Sequence, residues 1–186
     1  MAEAATGGGT VEFIELTAHE RTIEGELDAC ELVYLLGFQD HIYRGGATVA
    51  LRGSVSVTAL RNHPEKEPGI MLKVTAFDFV GSQPRLAPIN YAFLSAGPNS
   101  FAKKESGTFR CDDGGFCAAY GFFKATGIAE GLIDGEIAIT FNRSPGASDV
   151  KVPISLAQGK PEAHDRFVRC LLTLLPVIEQ KLEAVR

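Results

Sequence analysis

No apolar run in this chain is long enough to cross a membrane as a helix, so no membrane span is expected. Basic clusters are equally scarce. The longest is Lys103-Lys104, in a chain of net charge −5 and pI near 5.4. Nucleic-acid binding draws on a basic field that releases counterions, so this balance argues against a nucleic-acid partner. It disfavours anionic membrane surfaces for the same reason. The amino terminus, MAEAATGGGT, has neither a basic stretch nor an apolar one and does not read as a signal peptide. The compartment is therefore cytoplasmic if Met1 is the natural start, and periplasmic or secreted if a signal peptide has been removed.

The well-marked catalytic motifs are missing as well. There is no G-x-G-x-x-G, no Walker-type phosphate loop, no G-x-S-x-G elbow and no H-E-x-x-H. The histidines His19, His41, His63 and His164 are dispersed, and the cysteines Cys30, Cys111, Cys117 and Cys170 lack the paired spacing of a zinc site. No metal or cofactor is expected. Asp112-Asp113 has neither the alternate ligands nor the distant glutamate of a calcium loop. Four cysteines in 186 residues is not the density of a disulfide scaffold. Cys170 sits in an amphipathic helical stretch and Cys30 in L-D-A-C-E-L-V, where both read as buried reduced thiols.

What is present is alternation. In Gly46–Leu60, Ala47, Val49, Leu51, Gly53, Val55, Val57 and Ala59 fall on one face, and mostly polar residues on the other. That period of two marks a strand with one buried and one wetter face, the habit of antiparallel sheets. Further strands are expected over Val11–Leu16, Thr22–Asp28, Ile70–Phe79, Ile89–Ser95, Leu132–Phe141 and Val150–Leu156. Leu27–Phe38 fits strand or helix by periodicity, and Gly37 together with the neighbouring alternation favours strand. Pro153 puts its strand on an edge or at a bulge. Lys124–Leu132 suits one short helix with Thr126 as a cap.

From Pro161 a helical stripe begins, Phe167, Cys170, Leu171, Leu174, Leu175, Ile178, Leu182 and Val185, with Pro176 set to break or kink it. The expectation is a mainly β protein. It is an antiparallel meander, forming a sandwich or partly closed barrel with a C-terminal α-helix. Residues 1–9 read as a disordered tail and 10–186 as a single domain.

Two stretches carry chemistry. Asp40-His41-Ile42-Tyr43-Arg44 offers a histidine beside a carboxylate and an arginine able to hold an anion, so His41, Tyr43 and Arg44 are candidate binding residues. Continued as a strand, the group would be split across two faces, which favours a polar strand end with a structural ion pair.

The stretch Phe109–Phe123 reads as a hairpin around Asp112-Asp113-Gly114-Gly115. A two-residue turn pairs Cys111 with Phe116, whereas a three-residue loop over Asp113–Gly115 sets Cys111 opposite Cys117. A Cys111–Cys117 disulfide and a pair of free thiols are both compatible with the sequence. Phe77, Phe79, Phe93, Phe122, Phe123 and Phe141 are assigned to the core, or to the lining of a cavity.

The sequence favours a non-enzymatic binding protein for a small apolar ligand or a protein partner. An enzyme of an unmarked class near Asp40–Arg44, or a subunit of a homo-oligomer, are the alternatives.

Overall fold

The computed structural model describes residues 7–97, 100–101, 107–111 and 114–185. In chain order the strands are β1 (Gly7–Gly8), β2 (Thr10–Ile23), β3 (Glu26–Asp40), β4 (Ala47–Thr58), β5 (Gly69–Val80), β6 (Gln83–Ala87), β7 (Tyr91–Ala96), β8 (Ser100–Phe101), β9 (Gly107–Arg110), β10 (Phe116–Gly121), β11 (Glu136–Asn142) and β12 (Val150–Ser155). The helices are α1 (Thr126–Asp134), α2 (Leu156–Gly159) and α3 (Pro161–Val185). The strands form two mainly antiparallel sheets that do not close into a barrel. The larger runs β2-β3-β4-β5-β10-β9, with β6 on the far half of β5, and the smaller runs β1-β12-β11-β7-β8.

The alternation of Gly46–Leu60 is borne out. Val49, Leu51, Val55, Val57 and Ala59 are buried, and they pair in register with Phe38, Leu36, Leu32 and Cys30 of β3 and Ala76, Leu72 and Ile70 of β5. The segment written as strand or helix is strand, within β3. These residues form the inner face of the large sheet. α3 lies against that face over β2, β3 and β4, burying Phe167, Leu171, Leu174 and Ile178. The stripe thus meets the sheet as its spacing requires. Pro176 does not break the helix. It is exposed, so the carbonyl it leaves without a helical partner faces water, where the loss is small.

Several expectations are corrected. Thr22–Asp28 is not one strand: the chain reverses at Glu24-Gly25, with φ of 53° and 84°, and Ile23 pairs with Glu26. Two successive positive φ values define the tight turn that matches the twist of a hairpin, and glycine at the second position relieves most of its cost. Part of the expected tail is structured, since Gly7 and Gly8 pair in parallel with Val150 and Lys151; residues 1–6 lie outside the described residues. The short helix starts at Thr126 itself, with Ala125 at the cap position and no side-chain cap. It runs to Asp134, displacing the start of the next strand from Leu132 to Glu136. Pro153 faces an edge as expected, because β1 covers only Val150 and Lys151.

The cysteines depart furthest from expectation. Cys30 and Cys170 are not reduced thiols but a disulfide, 140 residues apart in sequence, tying α3 to β3. Cys111 and Cys117 also pair, in neither expected register. The Cys111 N–H donates to the Gly115 carbonyl and the Gly114 N–H to the Cys111 carbonyl, while Arg110 pairs with Phe116. Cys111 therefore lies diagonal to Cys117, with a Cα–Cα distance of 5.6 Å, and Gly114 takes the left-handed position at φ 80°. Asp112 and Asp113 fall outside the described residues. Two disulfides fit an oxidising compartment. Among the described residues no helix is long and apolar enough to cross a membrane.

Candidate functional site

The first candidate is the Asp40–Arg44 stretch. Strand β3 ends at Asp40, and residues 41–46 form a turn rather than more strand. The fully buried Asp40 carboxylate makes that turn: its Oδ1 accepts the N–H groups of Ile42 at 2.9 Å and Tyr43 at 2.8 Å. Its Oδ2 accepts Arg143 Nη2 at 3.0 Å. Arg143 also donates Nη1 to Asp78 Oδ2 at 2.8 Å, and Arg44 Nη1 lies 3.6 Å from the same oxygen. The Tyr43 ring sits under the Arg143 guanidinium, 5.2 Å from centroid to Cζ. The Tyr43 hydroxyl accepts the Arg143 N–H at 3.3 Å and donates to the Ser148 carbonyl.

The turn thus brings Tyr43 and Arg44 into one cluster with Asp40, Asp78 and Arg143. His41 is left outside it, exposed on the turn beside Gly46. Two carboxylates balance two guanidiniums, and the cluster ties the β3–β4 turn and the end of β5 to the β11–β12 loop. Two buried atoms in it, Asp78 Oδ1 and Arg143 Nε, have no hydrogen-bond partner. Both terminal nitrogens of Arg143 are aimed at carboxylates already present, which makes this a latch between sheets rather than an open anion site.

The second candidate was not singled out by the sequence. The outer face of the large sheet carries a cross-strand row in which Phe13 pairs with Gly37, Gly37 with Ala50, Ala50 with Phe77 and Phe77 with Leu86. The Phe13 ring lies over Gly37, and the small Ala50 beside it leaves a groove of about 530 Å³. Its lining includes Val33, Leu35, Phe77, Phe79 and Pro84, with Arg52 at its floor. Phe13, Leu35, Phe79 and Leu86 are 45%, 36%, 39% and 58% exposed on this face. A neighbouring hollow shares Val33, Arg52 and Phe77 and adds Glu31, Lys73 and Leu86. Arg52 is exposed and makes no hydrogen bond or ion pair with the described residues.

Assigning the phenylalanines to the core therefore holds for Phe122 and Phe141. It fails for Phe79 and Phe123, which are exposed, and for Phe77, which is half-buried on the outer face. The signal for the groove was in the sequence: Met71, Phe77 and Phe79 lie opposite Ile70, Leu72, Val74 and Ala76, so β5 is apolar on both faces. Among the described residues no three His, Cys, Asp or Glu side chains converge as a metal ion would need. Comparison with protein-family models, with characterised proteins and with solved structures finds no match to this chain.

Proposed function

We propose that this chain is a non-enzymatic binding protein whose ligand lies on the outer face of the large sheet. The observation that carries the reading is the groove over Ala50, walled by half-exposed apolar side chains on a face that no helix covers. A sheet face turned to water is ordinarily polar, and a contiguous apolar patch on it marks a contact surface. The volume falls within the range of small-molecule sites, roughly 300–1,000 Å³. An interior ligand is less well supported, because α3 occupies the inner face and the core positions there are buried.

Native mass spectrometry followed by denaturing mass spectrometry, both without reductant, tests this reading for a co-purified molecule. Titration with an environment-sensitive naphthalene sulfonate dye tests the face directly. Wild type is expected to bind the dye, and Ala50→Trp, which fills the groove from the base of the outer face, to lose most of that binding. An unchanged titration in Ala50→Trp would refute the placement. A native dimer mass would instead favour a second copy of the chain on this face.

A further inference from the structure

We infer that the groove takes a single-chain amphipath carrying one anionic group, of the fatty-carboxylate class, with its head on Arg52 and its tail over Ala50 between Leu35, Phe77 and Phe79. This rests on the outer face being the binding surface. Arg52 makes no ion pair with the described residues and lies in a groove lined by Val33, Leu35, Phe77 and Phe79, with Glu15 and Thr17 on its β2 side. A guanidinium presents a planar fork of donors that matches a carboxylate bidentately, and its weak hydration lets it sit among apolar groups. Arg52 and Ala50 are two residues apart on β4 and point to the same face, so head and tail sites are about 7 Å apart along the strand.

The surrounding charges fit one anionic group rather than several. Glu15 pairs with Leu35 and lies two strands from Arg52, about 10 Å away. Glu31 and Lys73 line the adjoining hollow together and offset one another. A cationic amphipath would meet Arg52 with like charge. A second copy packed by a twofold axis through this groove would bring Arg52 against its own counterpart, so charge also disfavours that occupant.

The test is isothermal titration of the full chain, disulfides intact, with decanoate, decanol and decyltrimethylammonium below their aggregation limits. Wild type is expected to bind decanoate about tenfold or more tightly than decanol, the usual weight of a charge-assisted pair, and the cation most weakly. Arg52→Gln removes no side-chain hydrogen bond or ion pair with the described residues and is expected to fold normally by circular dichroism. It should bring decanoate down to the level of decanol. Arg52→Lys should restore only part of the preference. If decanol matches decanoate on wild type, or Arg52→Gln keeps the preference, the ligand class is wrong and the binding face stands. If wild type binds none of the three, the inference and the binding reading fall together.

Discussion

Removing the two disulfides in separate variants should destabilise the protein very unequally. Cys30 and Cys170 close a loop of 140 residues. The loss of chain entropy in the unfolded state for a loop of that length corresponds to about 5 kcal/mol at room temperature. Cys111 and Cys117 are six residues apart, and the same relation gives about 2 kcal/mol. For a chain of this size each kcal/mol moves the melting temperature by about 2–4 °C. Cys30→Ala/Cys170→Ala should therefore melt roughly 10–20 °C below wild type, and Cys111→Ala/Cys117→Ala roughly 4–8 °C below.

The helix should stay in place in the first variant, because Phe167, Leu171, Leu174 and Ile178 remain buried against the sheet without the sulfur bridge. Far-ultraviolet circular dichroism at low temperature should thus be unchanged, while the urea m-value rises as the unfolded chain expands. Scanning calorimetry with an alkylation assay on denatured, unreduced protein checks the argument. Equal losses in the two variants would refute the loop-length reasoning. Uptake of alkylating reagent by unreduced wild type would refute the pairing itself.

Three further outcomes follow from the packing. Gly53→Ala should cost about 1–3 kcal/mol by urea denaturation, since a Cβ there would fall 1.9 Å from the Lys73 carbonyl oxygen and 2.7 Å from the Tyr34 hydroxyl; Gly37→Ala meets only the exposed Phe13 ring and should cost less. Arg143→Met leaves Asp40 and Asp78 without their shared guanidinium and should cost about 3–5 kcal/mol, whereas Arg44→Ala, at 3.6 Å and partly exposed, should cost under about 1 kcal/mol. Burial raises the Tyr34 phenol, and burial aided by the Asp149 carboxylate pushes Tyr91 up to about 12, while burial alone pushes Tyr120 up to about 12. These groups stay protonated in the folded chain after the unfolded chain has begun to lose its protons at pH 10.0. Stability should therefore hold below about pH 10 and fall as pH rises toward 12, followed by the urea midpoint and phenolate absorbance.

The strands were legible wherever one face is the more buried, as in β4 and β12, because burial on one side writes a period of two into the sequence. Their ends were less so. Glu24-Gly25 sits inside a stretch that alternates correctly on paper, and only the left-handed conformation of both residues shows the chain turning there. The Cys30–Cys170 pair was hidden for a different reason. Each cysteine fits a buried apolar position in its own element, and nothing local to either one signals a partner 140 residues away. The Asp40 cluster was half legible: its acidic and aromatic members are adjacent in sequence, while Arg143 arrives from more than a hundred residues downstream. Arg52 was invisible as a site residue, since one arginine on the wet side of a strand is the expected pattern. It gains meaning only once Val33, Leu35 and Phe77 are seen beside it.

The two faces of the large sheet divide the chemistry between them, and strand β3 shows how. It carries a fully buried aspartate near each end, Asp28 and Asp40, both on the inner face. Each accepts backbone N–H groups and one arginine: Asp28 takes the Arg61 N–H at 2.7 Å and Arg21 Nη2 at 2.7 Å, and Asp40 takes Ile42, Tyr43 and Arg143. Near the first end, Lys181 of α3 donates to the carbonyls of Ala59 and His63, each at 2.8 Å. A buried carboxylate satisfied in this way holds a chain reversal in place and leaves little capacity for substrate. Asp40, the carboxylate of the stretch that looks most catalytic in the sequence, is therefore fully used by the fold. The outer face is the reverse case: its polar and apolar side chains are not needed to close the structure, and Arg52 is left with its hydrogen-bonding capacity unspent. Of the two, the outer face is the one where function can be supplied without dismantling the fold.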